Sequence, residues 1–443
     1  MTTFFDWFTI TISAFFWVKN IRRISEGTRY LIYLIFFMFY VFPLYLDYFV
    51  AMPDYTYTYK YVGYVASRKD VLTNITYDIL LLVSQAIILY YKKGKSKIEY
   101  SSNGFNIKGS FYRIVLFIGM TSPSLFVIVL LREPAMLYTF QWREFDLFSA
   151  EGSYGHIERL TYVAISCSAL LLFSKIKTSR ILDVIFKIFV LFFVYSNVCI
   201  QGKRGMLLFA VVNFFVILFF KVFLNNRQKV VDKKKMFLGT VLGVIAVVSM
   251  LASTYFVKIG RGYSTDLADI MYVSTRVDFL RDDRVRMAIY SEENPEKMQI
   301  LAYPCQTLLT DILTIVPIDY IAHYLTGFEN KYSYQQFFTH AMEGNNYSHS
   351  FNSKEYSYET VTIFAELISN LGIFLGTFLM VVLCFWVYRL SDSYPYPYNI
   401  LILCSFFLLN LYHIGYIIYY LEATFILCYL FNRKNRKREY IKN

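Results

Sequence analysis

Charge is what this chain has least of. Asp, Glu, Lys and Arg supply 17% of its 443 residues, against roughly a quarter in soluble domains, while 56% of the chain is hydrophobic and 20% aromatic. A water-soluble globular fold is therefore excluded. Missing too are the loops that cradle nucleotides: the chain has no P-loop, no Gly-rich dinucleotide motif, no Asp-rich nucleotide-sugar signature and no Ser-centred nucleophile elbow. These absences argue against ATP-driven export and against transfer from a nucleotide sugar, so the energy of any group transfer has to reside in the substrate. Cysteine is sparse as well. Cys167, Cys199, Cys384, Cys404 and Cys428 fall in apolar stretches and Cys305 stands alone, which leaves no disulfide framework. The histidines show neither HExxH nor a similarly tight spacing and have no cysteine partners, so no structural metal and no cofactor is expected, while Asp and Glu of the long loop leave recruitment of a divalent ion open.

What is present is a series of apolar stretches near the length, about 20 residues, that crosses a bilayer. They run over 4–18, 30–50, 75–91, 112–131, 157–174, 181–200, 205–223, 236–256 and 361–388, with a final tract over 398–431 that holds two helices joined by a tight turn near His413 and Gly415. The expected fold is an all-α polytopic membrane protein of about eleven spans. Basic clusters at Lys19 to Arg29, Lys92 to Lys97, Lys175 to Arg180, Arg227 to Lys235 and Arg433 to Arg438 recur at every second turn, and the positive-inside rule places them and the C-terminus in the cytoplasm. This distribution accounts for the net charge of +12 without a nucleic-acid partner. Lys19, Arg22 and Arg23 follow the first apolar stretch instead of preceding it, so that stretch reads as a retained first helix, short enough to lie in the interface as well as to span.

Three regions follow: an N-terminal bundle over 1–256 with about eight spans, an extracytoplasmic segment over 257–360, and C-terminal helices with a basic tail over 361–443. Within the long segment, Ile300 to Thr326 is semi-apolar but carries Pro304, Asp311, Pro317, Asp319 and His323. Breakers and carboxylates disfavour a lipid-facing span, and short helices lying in the interface or tucked between spans are expected there.

Four constellations bear chemistry. Lys203 and Arg204 sit in a short turn on the outer side, where a cation pair runs against the positive-inside trend and suits a lipid headgroup or a diphosphate; an interfacial anchor reads equally well. Arg261, Arg276, Arg281, Arg284 and Arg286 crowd the start of the long segment, and guanidinium forks bind phosphate bidentately and remain charged. Asp278, Asp282 and Asp283 interleave them, which equally describes a solvated helix whose charges pair with one another. His340 and His349, with Glu343, Glu355 and the more distant His323, are candidates for a general base near neutral pH. Tyr55, Tyr57, Tyr59, Tyr61 and Tyr64 in the first outer loop read as a headgroup-level aromatic belt.

The helix opened by Gly202-Lys203-Arg204-Gly205, the single long outer segment and the stretch from Glu366 through Asn370 and Gly372 to Gly376 together resemble bacterial oligosaccharide repeat-unit polymerases of the Wzy type, and more distantly the O-antigen ligases. The resemblance covers the chain from about Gln201 to Phe431; the first half matches as a run of spans. It implies a GT-C-like glycosyltransferase of the bacterial cytoplasmic membrane, working on the outer face. Its substrate is an oligosaccharide linked to undecaprenyl diphosphate, and membrane lipids, chain-length regulators and flippases are its neighbours. Carried over by position, Arg204 matches the family's membrane-edge arginine and Arg276, Arg281 and Arg284 its loop arginines. His340 and His349 stand where the ligases place a loop base, although the adjoining His-Asn pair is absent. Arg204 and the loop arginines would stabilise diphosphate departure while His340 or His349 deprotonates the acceptor. A ligase passing the same donor to another acceptor, a lipid or polysaccharide transporter, and a membrane scaffold are the competing readings. A transporter is expected to line its spans with charge, whereas here charges inside spans are few, chiefly Lys187, Glu366 and Glu422.

Overall fold

The computed structural model describes residues 2–21, 27–49, 61–90, 281–313, 333–344, 361–394 and 398–415, with scattered helical positions between 162 and 216, 318 and 325, and 417 and 429. Every described element is helical, and no strand occurs among the described residues. In chain order they are α1 (Thr2–Ile21), α2 (Gly27–Phe36), a π-helical turn (Phe37–Val41), α3 (Phe42–Phe49), α4 (Val62–Lys69), α5 (Val71–Tyr90), α6 (Asp282–Glu293), α7 (Gln306–Leu313), α8 (Tyr334–Met342), α9 (Ile363–Leu371), α10 (Ile373–Ser393) and α11 (Tyr398–Leu411). Three of the described helical stretches are long and apolar enough to cross a membrane: Thr28–Phe49, Val71–Tyr90 and Ile373–Ser393. Stretches expected over 112–131, 157–174, 181–200, 205–223 and 236–256 lie wholly or largely outside the described residues.

The helix α5 has the inside-out pattern of a membrane helix. Ile79, Val83 and Ile87 form an exposed apolar stripe, while Asp78, Ser84 and Gln85 are buried. Gln85 accepts from the Tyr33 hydroxyl at 3.2 Å and donates to Ser13 Oγ at 2.9 Å, which ties α5 to α2 and α1. On α10, Phe374, Phe378 and Trp386 are likewise exposed.

Pro43 shapes the first long stretch. Lacking an N–H, it cannot donate to the carbonyl of Phe39, and the chain passes through the π turn just before it. Two carbonyls of that turn accept from elsewhere in the chain: Phe39 O from the Arg281 N–H at 3.0 Å, and Tyr40 O from the Tyr77 hydroxyl at 2.6 Å. The Tyr40 hydroxyl donates to Asn410 Oδ1 at 2.8 Å, an amide held by Nδ2 on Phe406 O at 2.7 Å. Its single proton thus used, Tyr40 accepts from Thr362 Oγ1 at 2.6 Å, and Thr362 caps α9 by accepting from Phe364 N.

The stretch read as one span over 361–388 is two helices. Gly372 takes φ +79° and ends α9, so the membrane-length helix starts at Ile373 and Glu366 lies outside it. The turn expected near His413 is present: α11 ends at Leu411, Tyr412 and His413 are non-helical, and helical residues resume at Ile414.

The chain forms two compact units. The first comprises Met1–Lys95, Tyr272–Arg389 and Phe406–Ile418, the second Ser96–Met271, Leu390–Ser405 and Tyr419–Asn443. At the centre of the first is α6, which packs against α4, α5, α9 and the π turn. Described residues of the second surround a buried polar knot: Ser166 Oγ donates to Asn213 Oδ1 at 2.9 Å and meets the Tyr420 hydroxyl at 2.9 Å, and Cys404 Sγ donates to the same Asn213 oxygen at 3.1 Å. Phe209 meets the Tyr420 ring edge-on at 5.6 Å.

A Cβ at Gly376 would lie 2.6 Å from Leu367 O and 2.7 Å from the Ile368 backbone. Backbone cannot yield as a flexible side chain would, so Gly376→Ala should cost about 1–3 kcal/mol, read as a lower unfolding midpoint of the detergent-purified protein. An unchanged midpoint would contradict the close approach of α9 and α10.

Candidate functional site

The site is built on α6, whose sequence Asp-Asp-Arg-Val-Arg-Met-Ala-Ile-Tyr-Ser-Glu-Glu reads as a surface helix. It is nevertheless buried from Asp282 to Ser291, and Arg281 just before it is buried as well. Charges in such a place need opposite charge and hydrogen bonds around them. Asp282 and Asp283 occupy the first turn, where carboxylates complement the positive end of the helix dipole.

Arg68 on α4 reaches them. Its Nε donates to Asp283 Oδ1 at 2.7 Å, and one Nη lies 3.9 Å from Asp282 Oδ2 and 3.5 Å from Asp47 Oδ2 on α3. Arg286 lies one turn after Asp282, with Nε 3.8 Å from its Oδ2, donates to Asn74 Oδ1 on α5, and places its guanidinium over the Tyr77 ring at 4.2 Å. Arg284 lies over the Tyr64 ring of α4 at 5.4 Å. Asp78 is buried on α5 within the electrostatic reach of Arg286. The guanidinium groups of Arg68 and Arg286 thus meet the carboxylates of Asp47, Asp78, Asp282 and Asp283, with Arg284, on the same helix as Arg286, over Tyr64. The pairing expected of interleaved acids is present, but the solvated setting is not.

Both ends of α6 are fastened. Arg281 N–H holds Phe39 O at the N-terminal end, and Glu293 accepts from Thr73 Oγ1 at 2.9 Å and Thr76 Oγ1 at 2.7 Å at the other.

His340 is buried on α8, and α8 packs against α4. A Cβ at Gly63 of α4 would meet Met287 of α6 at 2.9 Å and Met342 of α8 at 3.0 Å, so α4 is wedged between the helix that carries Arg284 and the helix that carries His340. Tyr64, under Arg284, also lies 6.3 Å from the Phe338 ring of α8. The Tyr334 hydroxyl meets Ser369 Oγ at 2.9 Å and joins α8 to α9.

Of the residues singled out in the sequence, Arg281, Arg284 and His340 therefore lie on elements that pack around α4 and α6. Lys203, Arg204, Arg261, Arg276 and His349 lie outside the described residues. Sequence reasoning missed Arg68, Asp47 and Asn74. Arg68 followed by Lys69 and Asp70 reads as an ordinary loop charge, and only its distant partner on α6 gives it meaning.

A second polar cluster lies in the same unit. Glu366 of α9 is fully buried and accepts from Ile414 N at 3.0 Å and Thr307 Oγ1 at 3.5 Å. Burial first, then the neighbouring Asp311 charge, push its carboxyl well above the ordinary carboxylate range. Asn370 organises the surroundings: its Oδ1 accepts from Thr307 N at 3.0 Å, and its Nδ2 donates to Thr307 Oγ1 at 2.8 Å.

Replacing Asp283 by Ala leaves the half-buried Arg68 without its shortest ion pair and should cost about 3 kcal/mol. The Arg68→Ala, Asp283→Ala double variant should be less destabilised than the two single losses added together, by about 1–3 kcal/mol. Strictly additive losses in chemical denaturation would show that the pair is uncoupled.

Comparisons of the chain with protein-family models, with curated proteins and with solved structures find no match.

Proposed function

We propose that this protein is a membrane glycosyltransferase that joins oligosaccharide repeat units carried on undecaprenyl diphosphate into a surface polysaccharide. In this reading it is a GT-C-like protein of about eleven spans in the bacterial cytoplasmic membrane. Its 257–360 segment faces outward, its C-terminus is cytoplasmic, and chain-length regulators and flippases are its partners. The observation that carries the reading is the burial of Arg281, Arg284 and Arg286 at one end of α6, beside Arg68, in a chain otherwise poor in charge. Guanidinium groups keep their charge when buried, and an apolar protein keeps several together where anions are handled.

The chemistry follows from the donor. The acceptor hydroxyl attacks the anomeric carbon, the bond from that carbon to the diphosphate oxygen breaks, the electron pair leaves with the diphosphate, and the hydroxyl proton passes to His340 or His349. Charge grows on the diphosphate as the bond breaks, so cations already held in place near the bilayer favour the transition state over the bound substrate. Arg204 and the loop arginines Arg261, Arg276, Arg281 and Arg284, with Lys203, fill that role in this reading. The common attachment of α6 and α8 to α4 supports pairing the α6 arginines with His340 as base.

Arg204→Ala and Arg284→Ala should each reduce polymer formation about tenfold to a hundredfold, the worth of one charge-assisted hydrogen bond to the leaving group. Cells expressing each variant at the wild-type level would then show polysaccharide shortened toward single repeat units. Full-length ladders from both variants would defeat the proposal. Purified protein given only lipid-linked repeat units should yield polymer, whereas a ligase would leave them unjoined.

A further inference from the structure

We infer that Asp311, Glu366 and His413 form a binding site for a divalent transition-metal ion that fastens α7, α9 and the turn after α11 together. The three side chains come from distant parts of the chain, all are buried, and one ligand atom from each lies within 4.8 Å of the other two. A tetrahedral ion with bonds of about 2.0–2.2 Å holds its ligand atoms about 3.3–3.6 Å apart, so side-chain movements of about 1 Å would close the set around an ion. Two carboxylates and an imidazole neutralise a dication, and the mixed nitrogen and oxygen donor set points to zinc or manganese more than to magnesium or calcium.

Three further features suit a ligand set. Glu366 is oriented by the Ile414 N–H on one oxygen and by Thr307 on the other, and Thr307 is fixed in turn by Asn370, as the outer partners of metal ligands usually are. Gly415 faces the cluster: a Cβ there would collide with Asp311 Oδ1 and lie 3.3 Å from His413 Cε1, so the glycine keeps room for the carboxylate beside the imidazole. Finally, two carboxylates brought together out of water repel each other, and a dication between them turns that repulsion into attraction.

The site is independent of the glycan-transfer reading, since none of its residues belongs to the arginine cluster. The sequence hides it. Asp311 reads as a breaker in a semi-apolar stretch, Glu366 as a charge within a span and His413 as a turn residue, with no short spacing among them.

The test uses the full-length protein, purified in detergent through a tag without histidines and in buffers without chelator. Elemental analysis should find about one zinc or manganese ion per chain. EDTA should lower the thermal unfolding midpoint, and added Zn²⁺ or Mn²⁺ should restore it. Glu366→Gln and His413→Ala should each lose the bound ion and the response to EDTA. The wild-type protein alone can overturn the inference: no bound ion, together with a midpoint unmoved by EDTA and by added metal, would mean that the carboxylates share a proton instead. Glu366→Gln retaining the wild-type midpoint would overturn it too, because Gln imitates a protonated Glu and ligates metal poorly.

Discussion

A short helix that carries two aspartates and two arginines lies in the interior of the first unit, and its neighbours are arranged to satisfy it. Unpaired, each of those charges would cost several kcal/mol in such a place. Arg68 answers Asp283 and Asp282 from α4, Asn74 and Tyr77 answer Arg286 from α5, and Tyr64 lies beneath Arg284. The helices α4 and α5 and the start of the 257–360 segment, far apart in the chain, are therefore joined by ion pairs and cation–π contacts as well as by apolar packing. Apolar residues of similar volume would give a comparable or greater stability. Retention of charge in that position is what gives α6 a functional reading.

The backbone supplies the second half of the arrangement. Pro43 removes one donor from the first long stretch, and the carbonyl left over receives the N–H of Arg281, so a break in one helix becomes the anchor of another. Tyr40, in the same turn, extends the link to Thr362 at the start of α9 and to Asn410 in α11. Gly372 then ends α9, Gly376 lets the start of α10 lie close against the Leu367 and Ile368 backbone, and Asn370 caps the start of α7. Hydrogen bonds of this kind are strengthened where water is scarce.

The helical class and part of the scaffold were legible in the chain, and most of the internal pairing among the described residues was not. The stretches over 30–50 and 75–91 were readable because high apolarity sustained over bilayer length rarely belongs to anything but a span. The turn at His413 was readable from length alone, since the final tract exceeds one span. The stretch over 361–388 misled, because hydropathy does not register that Gly372 adopts a left-handed φ and divides it. The helix α6 misled more instructively: its composition describes a surface helix, and nothing local in Asp282, Asp283, Arg284 or Arg286 announces that Arg68 and Tyr77 will enclose it. Partners contributed from distant segments are set by tertiary packing, which periodicity cannot report.

The same burial that makes α6 demanding also makes it stiff. Its N-terminal end is held to the π turn by Arg281, its C-terminal end to Thr73 and Thr76 by Glu293, and its Met287 side chain lies against Gly63 of α4. Guanidinium groups on such a helix have little freedom to follow an anion that moves, so they favour whichever arrangement of charge matches their fixed positions. In the glycosyl transfer proposed above, where negative charge grows on the leaving diphosphate, that selectivity would favour the transition state over the bound substrate. The arrangement also explains a preference for arginine here over lysine. Planar forks can pair with Asp282 or Asp283 and stack on Tyr64 or Tyr77 at once, whereas an ammonium group buried among aromatic rings would be drawn toward losing its proton.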